Sequence, residues 1–367
     1  MALTIRSRRM VSCVVTGFVG VMLAGCAGPS LPSPVEQTPP RECPPGYLMG
    51  AGSTAQQGVI DSSIATYGAA CRGSNTVEYD GKGSGDGVTD FVNGLTHFAG
   101  TDTVMDAEAI ERARCRCNGN EAWHLPMVVG PIALAHNVEG VEDLVLTPEV
   151  VAEIFTGEIS RWDDAQIIAL NPGVNLPSQP ITVIHRSDAS GTTENFTTWL
   201  NAAASDQWAS DKVSKNWKGS GEGAAKSDGV ATRVQETPGA ITYVESSYAD
   251  DHKLPTAGIE TGRGVVRLDD ASVAKTLAGA RRTGQGPDMR LEIDAVPDDP
   301  EAYPLVQVTY EVVCSAGLGP EQTEILKDFL GFMAEQQTRD ELAARGYVPL
   351  PEELNSEVRE SIGQIRP

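Results

Sequence analysis

Three short stretches set glycine beside hydroxyl side chains in a pattern that suits an anion: Gly50-Ala51-Gly52-Ser53-Thr54, Gly81-Lys82-Gly83-Ser84-Gly85 and Ser187-Asp188-Ala189-Ser190-Gly191-Thr192-Thr193. The first comes just before an amphipathic helical run, and the other two lie between a β-type run and such a helical run. At a helix start the first backbone N–H groups lack intrahelical partners and the dipole end is positive. Glycine there lets the backbone approach a ligand, and Ser or Thr hydroxyls add donors. One such loop is ordinarily a helix cap with a turn. Three in one chain are expected to converge, because loops at the carboxyl ends of strands in an open α/β sheet meet in one crevice. Arg186 directly precedes the third loop, where its planar guanidinium would present a fork to a tetrahedral oxyanion. Asp102 follows His97-Phe98-Ala99-Gly100-Thr101 and should point into the same crevice, an odd place for a carboxylate beside an anion.

The elements that must position these groups are legible as periodicities. Ile60, Ile64 and Tyr67 recur at i, i+4, i+7, whereas Val88, Phe91, Val92 and Leu95 recur at i, i+3, i+4, i+7. Phe196, Trp199, Leu200 and Ala203 repeat the second pattern, as do Leu326, Phe329, Leu330 and Met333. Each set predicts a helix with one face to bury. β-type runs at 76–79, 97–100, 127–135, 181–185, 240–244 and 305–313 alternate with them, which predicts α/β architecture with largely parallel sheets. A chain of 367 residues has material for two or three domains.

The N-terminus carries an export signature. Arg6, Arg8 and Arg9 precede an uncharged apolar run at 10–24, too short for a spanning helix, which ends in Leu23-Ala24-Gly25-Cys26. That ending resembles the bacterial lipoprotein processing box, which implies removal of residues 1–25 and acylation of Cys26 with palmitate-type chains. Residues 26–43 hold five prolines among polar residues and read as an extended tether. Export permits disulfides. With Cys13 removed and Cys26 lipidated, Cys43, Cys71, Cys115, Cys117 and Cys314 remain, enough for two bridges and one free thiol. Cys115 and Cys117 flank one residue, so each is expected to pair outward, to Cys43 and Cys71 in either order. A Cys-x-Cys metal site lacks a neighbouring His or second Cys pair to complete a tetrahedral set, and no metal is expected.

In this order and at these separations, Gly50–Thr54, Gly83-Ser84, Phe98-Ala99-Gly100-Thr101-Asp102 and His185-Arg186 through Thr193 resemble the phosphate-binding protein of bacterial ABC phosphate importers. Ile154-Phe155-Thr156-Gly157-Glu158-Ile159, Leu170-Asn171-Pro172-Gly173 and Thr237-Pro238-Gly239-Ala240-Ile241-Thr242-Tyr243-Val244 are similar too, and the likeness spans about residues 46–349. The resemblance implies a two-lobed periplasmic-binding-protein fold of type II, each lobe a mixed sheet flanked by helices. One lobe would comprise residues 44–126 with 305–367 and the other 127–304, with chain crossings near 125–130 and 303–305 forming a hinge. It implies that Thr54, Ala55, Ser84, Arg186, Ser190, Gly191 and Thr192 donate to inorganic phosphate, with Ser53 and Asp188 in support. Asp102 would accept the proton that phosphate keeps at neutral pH, so that fully deprotonated sulfate meets unpaired like charge. Asp188 is expected to orient Arg186 or cap the helix. Ala55 stands where many relatives have Phe, Asp86 is expected to face outward in a helix's first turn, and 106–122 reads as an insertion.

The implied protein is a monomer held at the extracytoplasmic face by lipid, delivering phosphate to transporter permease subunits without a cofactor. Competing readings keep the fold with another oxyanion or a phosphorylated metabolite as ligand, or make the chain a phosphate-sensing surface lipoprotein without transport. A phosphatase is disfavoured, because His97, His124, His136, His185 and His252 are scattered and no nucleophile has an orienting base. The formal charge of −22 disfavours nucleic acid and charge-only binding to anionic lipid.

Overall fold

The computed structural model describes residues 41–335 and 347–367; the expected export segment, Cys26 and most of the proline-rich tether lie outside these residues. Eight strands form the main sheet: β1 (Gly46–Gly52), β2 (Asn75–Gly81), β3 (Phe98–Thr101), β4 (Ala122–His136), β5 (Thr182–Arg186), β6 (Glu222–Ala224), β7 (Ala240–Glu245) and β8 (Val306–Cys314). Their order is β2-β1-β3-β8-β4-β7-β5-β6. β1 runs parallel to β2 and β3, and β5 runs parallel to β6 and β7. Between these groups β8 and β4 are antiparallel to their neighbours. The sheet is therefore mixed, with parallel ends and an antiparallel centre. Parallel strands joined by helical crossovers deliver their following loops to one edge, as the crevice rule requires.

Chain β4 connects the two halves. Its residues between Ala122 and Pro131 pair with β8, then Ile132 to His136 pair with β7. The partner change falls between Pro131 and Ile132, where the Ile132 N–H also bonds the Leu305 carbonyl at 2.7 Å. From Trp123 through His136 every residue is buried, which is why the sequence shows a continuous apolar run and not an alternation.

The predicted helices form as α1 (Gln57–Ala70), α2 (Ser84–Val92), α4 (Gly191–Ala203) and α6 (Pro320–Met333), but α2 ends at Val92, where Gly94 with φ of 73° turns the chain and leaves Leu95, expected on the buried face, exposed. Also present are α3 (Ala107–Arg116), α5 (Lys226–Glu236) and α7 (Glu352–Gln364), so the 106–122 segment contains a helix capped by Asp106. Two aromatic cores anchor the halves. Tyr67 of α1 meets Phe329 of α6 edge-on at 5.3 Å, and Phe98 of β3 lies against the same ring. In the other half Phe196 of α4 stacks on Tyr243 of β7 at 4.3 Å, and Phe155 packs edge-on against Phe196. Burying such rings is worth roughly 2–3 kcal/mol each.

The disulfides differ from the expected pairing. Cys43 bonds Cys71 and Cys117 bonds Cys314, while Cys115 is a free, exposed thiol. The reason is orientation. Cys117 ends α3 facing the buried last residue of β8, whereas Cys115, two residues earlier on the helix, points to solvent. Residues two apart on a helix do not share a face.

Candidate functional site

The three glycine-hydroxyl loops do converge, each from the carboxyl end of a parallel strand. β1 leads into Ser53, Thr54 and Ala55 before α1; β2 leads to Ser84, the first residue of α2; β5 ends in Arg186, followed by Ser190, Gly191 and Thr192 at the start of α4. Asp102 directly follows β3. Ser53, Thr54, Ala55, Ser84, Asp102, Arg186, Ser190 and Thr192 are all at most 3% exposed. The cleft closes tightly at Gly191. A Cβ there would lie 2.6 Å from Ser84 Oγ and 2.8 Å from Asp102 Cβ, so only glycine lets the start of α4 reach the opposite wall. Gly83 is equally required, because its φ of 102° is joined to a Cβ position 2.6 Å from Asp188 Oδ2. Backbone contact follows, with the Gly85 N–H bonding the Ala189 carbonyl at 2.9 Å.

Hydroxyl donors surround Asp102. Its Oδ1 accepts from Ser53 Oγ at 2.5 Å and Thr309 Oγ1 at 2.7 Å, and its Oδ2 accepts from Ser84 Oγ at 3.1 Å. A carboxylate has about four lone-pair sites, so Oδ2 retains capacity for a ligand O–H. Burial pushes this carboxyl above the usual range, against the three hydroxyls and the Arg186 charge that favour its ionised form. Thr309 reaches it from β8, beside a register shift at which β4 carries the extra residue, Met127, opposite Thr309 and Tyr310. Asn195 Nδ2 of α4 bonds the Asp102 carbonyl at 2.8 Å and ties the two walls together.

Opposite lies the charged wall. Arg186 Nε donates to Asp188 Oδ1 at 2.8 Å, and its Nη2 also pairs with Asp188 Oδ2. Burial opposes ionisation of Asp188, but the Arg186 partner and the Lys226 N–H, at 2.9 Å from Oδ1, outweigh it and hold the carboxyl below the usual range. Asp188 thus orients Arg186, one of its two expected roles; the cap of α4 is Ser190, whose Oγ accepts from the Thr193 N–H at 3.2 Å. The core supports this wall from beneath: Tyr243 OH lies 2.7 Å from Thr193 Oγ1 and accepts from the Arg186 N–H at 3.3 Å. Burial pushes that phenol up to about 12, keeping it a neutral fixture.

One group stands ready for an acceptor. Thr192 Oγ1 is buried without a hydrogen-bond partner. An unpaired buried hydroxyl costs roughly 1–3 kcal/mol, which a bound anion would recover. Asp86 is exposed in the first turn of α2, as expected, and adds no buried charge to the cleft. The histidines are engaged elsewhere: His97 accepts from the Met49 N–H, His124 pairs with Asp288, His185 stacks on Trp217, His136 lies beside Trp162 and His252 faces Asp228.

Two site residues have no sequence signal of the kind used for the loops. Thr309 is one. Ser227, buried in the first turn of α5 after the three-residue β6, is the other, with its Oγ 2.9 Å from Thr54 Oγ1 and 3.3 Å from Arg186 Nη1. A hydroxyl residue just after a short β-run and at a helix start was the available clue, and β6 is too short to register as one.

Residues 38–337 match the family model of the PBP superfamily domain. The chain is 38% identical over 327 residues to the phosphate-binding protein PstS 3 of Mycobacterium leprae, covering 87% of this chain and 86% of that one. It is also 38% identical over 324 residues to the phosphate-binding protein PstS 2 of Mycobacterium tuberculosis, covering 87% of each. Among solved structures, a high-affinity periplasmic phosphate-binding protein (PfluDING) bound with phosphate superposes with a TM-score of 0.70 at 23% identity, over 86% of this chain and 93% of that one. That likeness establishes the two-lobed α/β fold, and the sequence matches establish kinship. The chain belongs to the PBP superfamily and, within it, to the PstS family.

Proposed function

We propose that this protein binds inorganic phosphate between its two lobes and hands it to the permease of an ABC importer at the extracytoplasmic face of the membrane. The names of its relatives support the ligand class. The observation that carries the reading is a pairing inside one buried cleft. Arg186 and the partnerless Thr192 hydroxyl offer donors to an anion, while Asp102 offers an acceptor to a proton. Phosphate near neutral pH is an anion that still carries a proton, and sulfate is not. Thr54, Ala55, Ser84, Arg186, Ser190, Gly191 and Thr192 are the proposed donors and Asp102 the acceptor, with Ser53 and Asp188 holding Asp102 and Arg186 in place.

Closure is proposed to involve two lobes, 44–126 with 305–367 and 127–304, moving about β4 and the 303–305 segment. The change of partners along β4 supports this. Cys26 is the proposed lipid anchor; among the described residues no helix is long and apolar enough to cross a membrane. Binding without catalysis is the proposed activity. Titration calorimetry of the purified protein with phosphate tests the ligand: saturable one-to-one binding is expected, and no heat at millimolar phosphate would reject it. Cys26→Ala should release the protein from the membrane fraction; continued retention would reject the anchor.

A further inference from the structure

We propose that Ser227 is a positioning residue for the anion: it links Arg186 on one wall to Thr54 on the other and sets the direction in which the Thr54 hydroxyl donates. The inference rests on the phosphate reading above and adds a residue to it. Ser227 is fully buried, and three hydrogen bonds converge on it. Arg186 Nη1 lies 3.3 Å from its Oγ, its backbone N–H lies 3.2 Å from Thr54 Oγ1, and the two hydroxyls are 2.9 Å apart.

Counting donors shows what this arrangement does. A guanidinium has no acceptor, so the Arg186 contact obliges Ser227 Oγ to accept. A backbone N–H only donates, so Thr54 Oγ1 must accept from Ser227. The hydroxyl pair then has two protons, and only one can be shared between the two oxygens. The other must leave the pair for an outside acceptor. Each hydroxyl oxygen has two lone pairs, so either can give the proton that leaves the pair; in the proposed arrangement Ser227 donates to Thr54, and Arg186, Ser227 and Thr54 form a chain that ends in a Thr54 donor, matched to the oxygen of an anion and mismatched to any ligand group that itself donates. Hydrogen bonds arranged head to tail also polarise one another.

The backbone is arranged to deliver this side chain. Lys226, directly before it, has φ of 66°, a left-handed conformation that costs a non-glycine residue roughly 1–2 kcal/mol. The Asp188 carboxylate holds the Lys226 N–H at 2.9 Å, so the aspartate that orients Arg186 also fixes the turn that presents Ser227. Tyr248 OH donates to the Thr54 carbonyl at 2.6 Å and pins the same residue from a neighbouring helix. Thr54 is thereby held to the opposite wall at both its side chain and its backbone.

The test is a mutant cycle on the full-length protein with inorganic phosphate, measured by calorimetry and by stopped-flow dissociation. Ser227→Ala keeps the backbone N–H and should weaken phosphate binding at least tenfold, mainly through faster dissociation. Ser227→Thr restores the hydroxyl and should recover most of the loss. Because Ser227 acts through Thr54, Ser227→Ala in a Thr54→Val background should change affinity less than threefold. Affinity of Ser227→Ala within twofold of wild type would overturn the role, as would fully additive losses. So would a loss that tracks a lowered ligand-free melting temperature and is not rescued by threonine. Wild-type protein that fails to bind phosphate would overturn the phosphate reading itself, a separate and distinguishable result.

Discussion

Asp102 and Asp188 sit on opposite walls of one cleft, and their surroundings push them in opposite directions. Asp102 is 3% exposed and faces neutral hydroxyls, so burial dominates and its carboxyl is raised. Asp188 has an arginine fork against it, so despite its own desolvation its carboxyl is lowered. The same residue type is thus assigned to two tasks by its neighbours. A lowered carboxylate bound to Arg186 holds a cation in position and offers the ligand little repulsion of its own. A raised carboxylate with a spare lone pair is an acceptor matched to a ligand that brings a proton. On the proposed reading the charged wall supplies strength and the hydroxyl wall selectivity.

Removing the strength side should have the largest effect. Arg186→Ala is expected to cost about 2–5 kcal/mol of phosphate affinity, because it deletes a buried charge-assisted donor and leaves Asp188 unpaired; a loss below tenfold by calorimetry would show that the charged wall is dispensable. Asp188→Asn should cost less, about 1–2 kcal/mol, since the guanidinium remains but is no longer gripped. Its phosphate-to-sulfate ratio should stay unchanged, and a changed ratio would move selectivity onto the wrong wall.

A smaller effect separates the raised carboxyls from the lowered one by pH. Glu311, on β8 in register with Gly100, and Glu245, on β7, are fully buried and pushed up to about 8 by burial. Gln56 Nε2 reaches Glu311 Oε1 at 2.7 Å, and the Asp102 charge raises Glu311 further. From about 4.5 to about 8 the native protein holds protons that the unfolded chain has lost, so ligand-free stability should fall as pH rises through that window. Asp188 runs the other way, and its contribution is lost only as pH falls below the ordinary aspartate range. Urea midpoints should therefore be lower at about pH 9 than at about pH 6, and Glu311→Gln should flatten the difference; equal midpoints in the wild type would contradict the raised carboxyls. The smallest effect is expected from Cys115→Ser, which removes an exposed thiol on α3 and should leave phosphate affinity within error in the same calorimetric titration.

Much of the hydroxyl and arginine framework was legible in the sequence because each loop follows a strand and opens a helix. That local grammar predicts convergence from Gly, Ser and Thr spacing alone, and Arg186 and Asp102 follow from strand ends. Ser227 was not legible. It follows a strand of three residues and a left-handed lysine, neither of which leaves a periodic trace. Thr309 was hidden for another reason, since every residue of β8 is buried and no alternation of polar and apolar positions marks which side chains face the cleft. The disulfides show the same limit. The number of cysteines allows the two bridges and one free thiol that are found, but the Cys-x-Cys spacing led to the wrong pairing, because which cysteine faces Cys314 depends on how α3 lies against β8.

The most direct measurement compares phosphate and sulfate affinities of the wild type and of Asp102→Asn by calorimetry at neutral pH. The wild type is expected to bind phosphate and reject sulfate, and Asp102→Asn to bind sulfate measurably while losing phosphate affinity, so that the ratio collapses. Comparable affinity of the wild type for both anions, or a ratio unchanged by Asp102→Asn, would contradict the assignment of selectivity to Asp102.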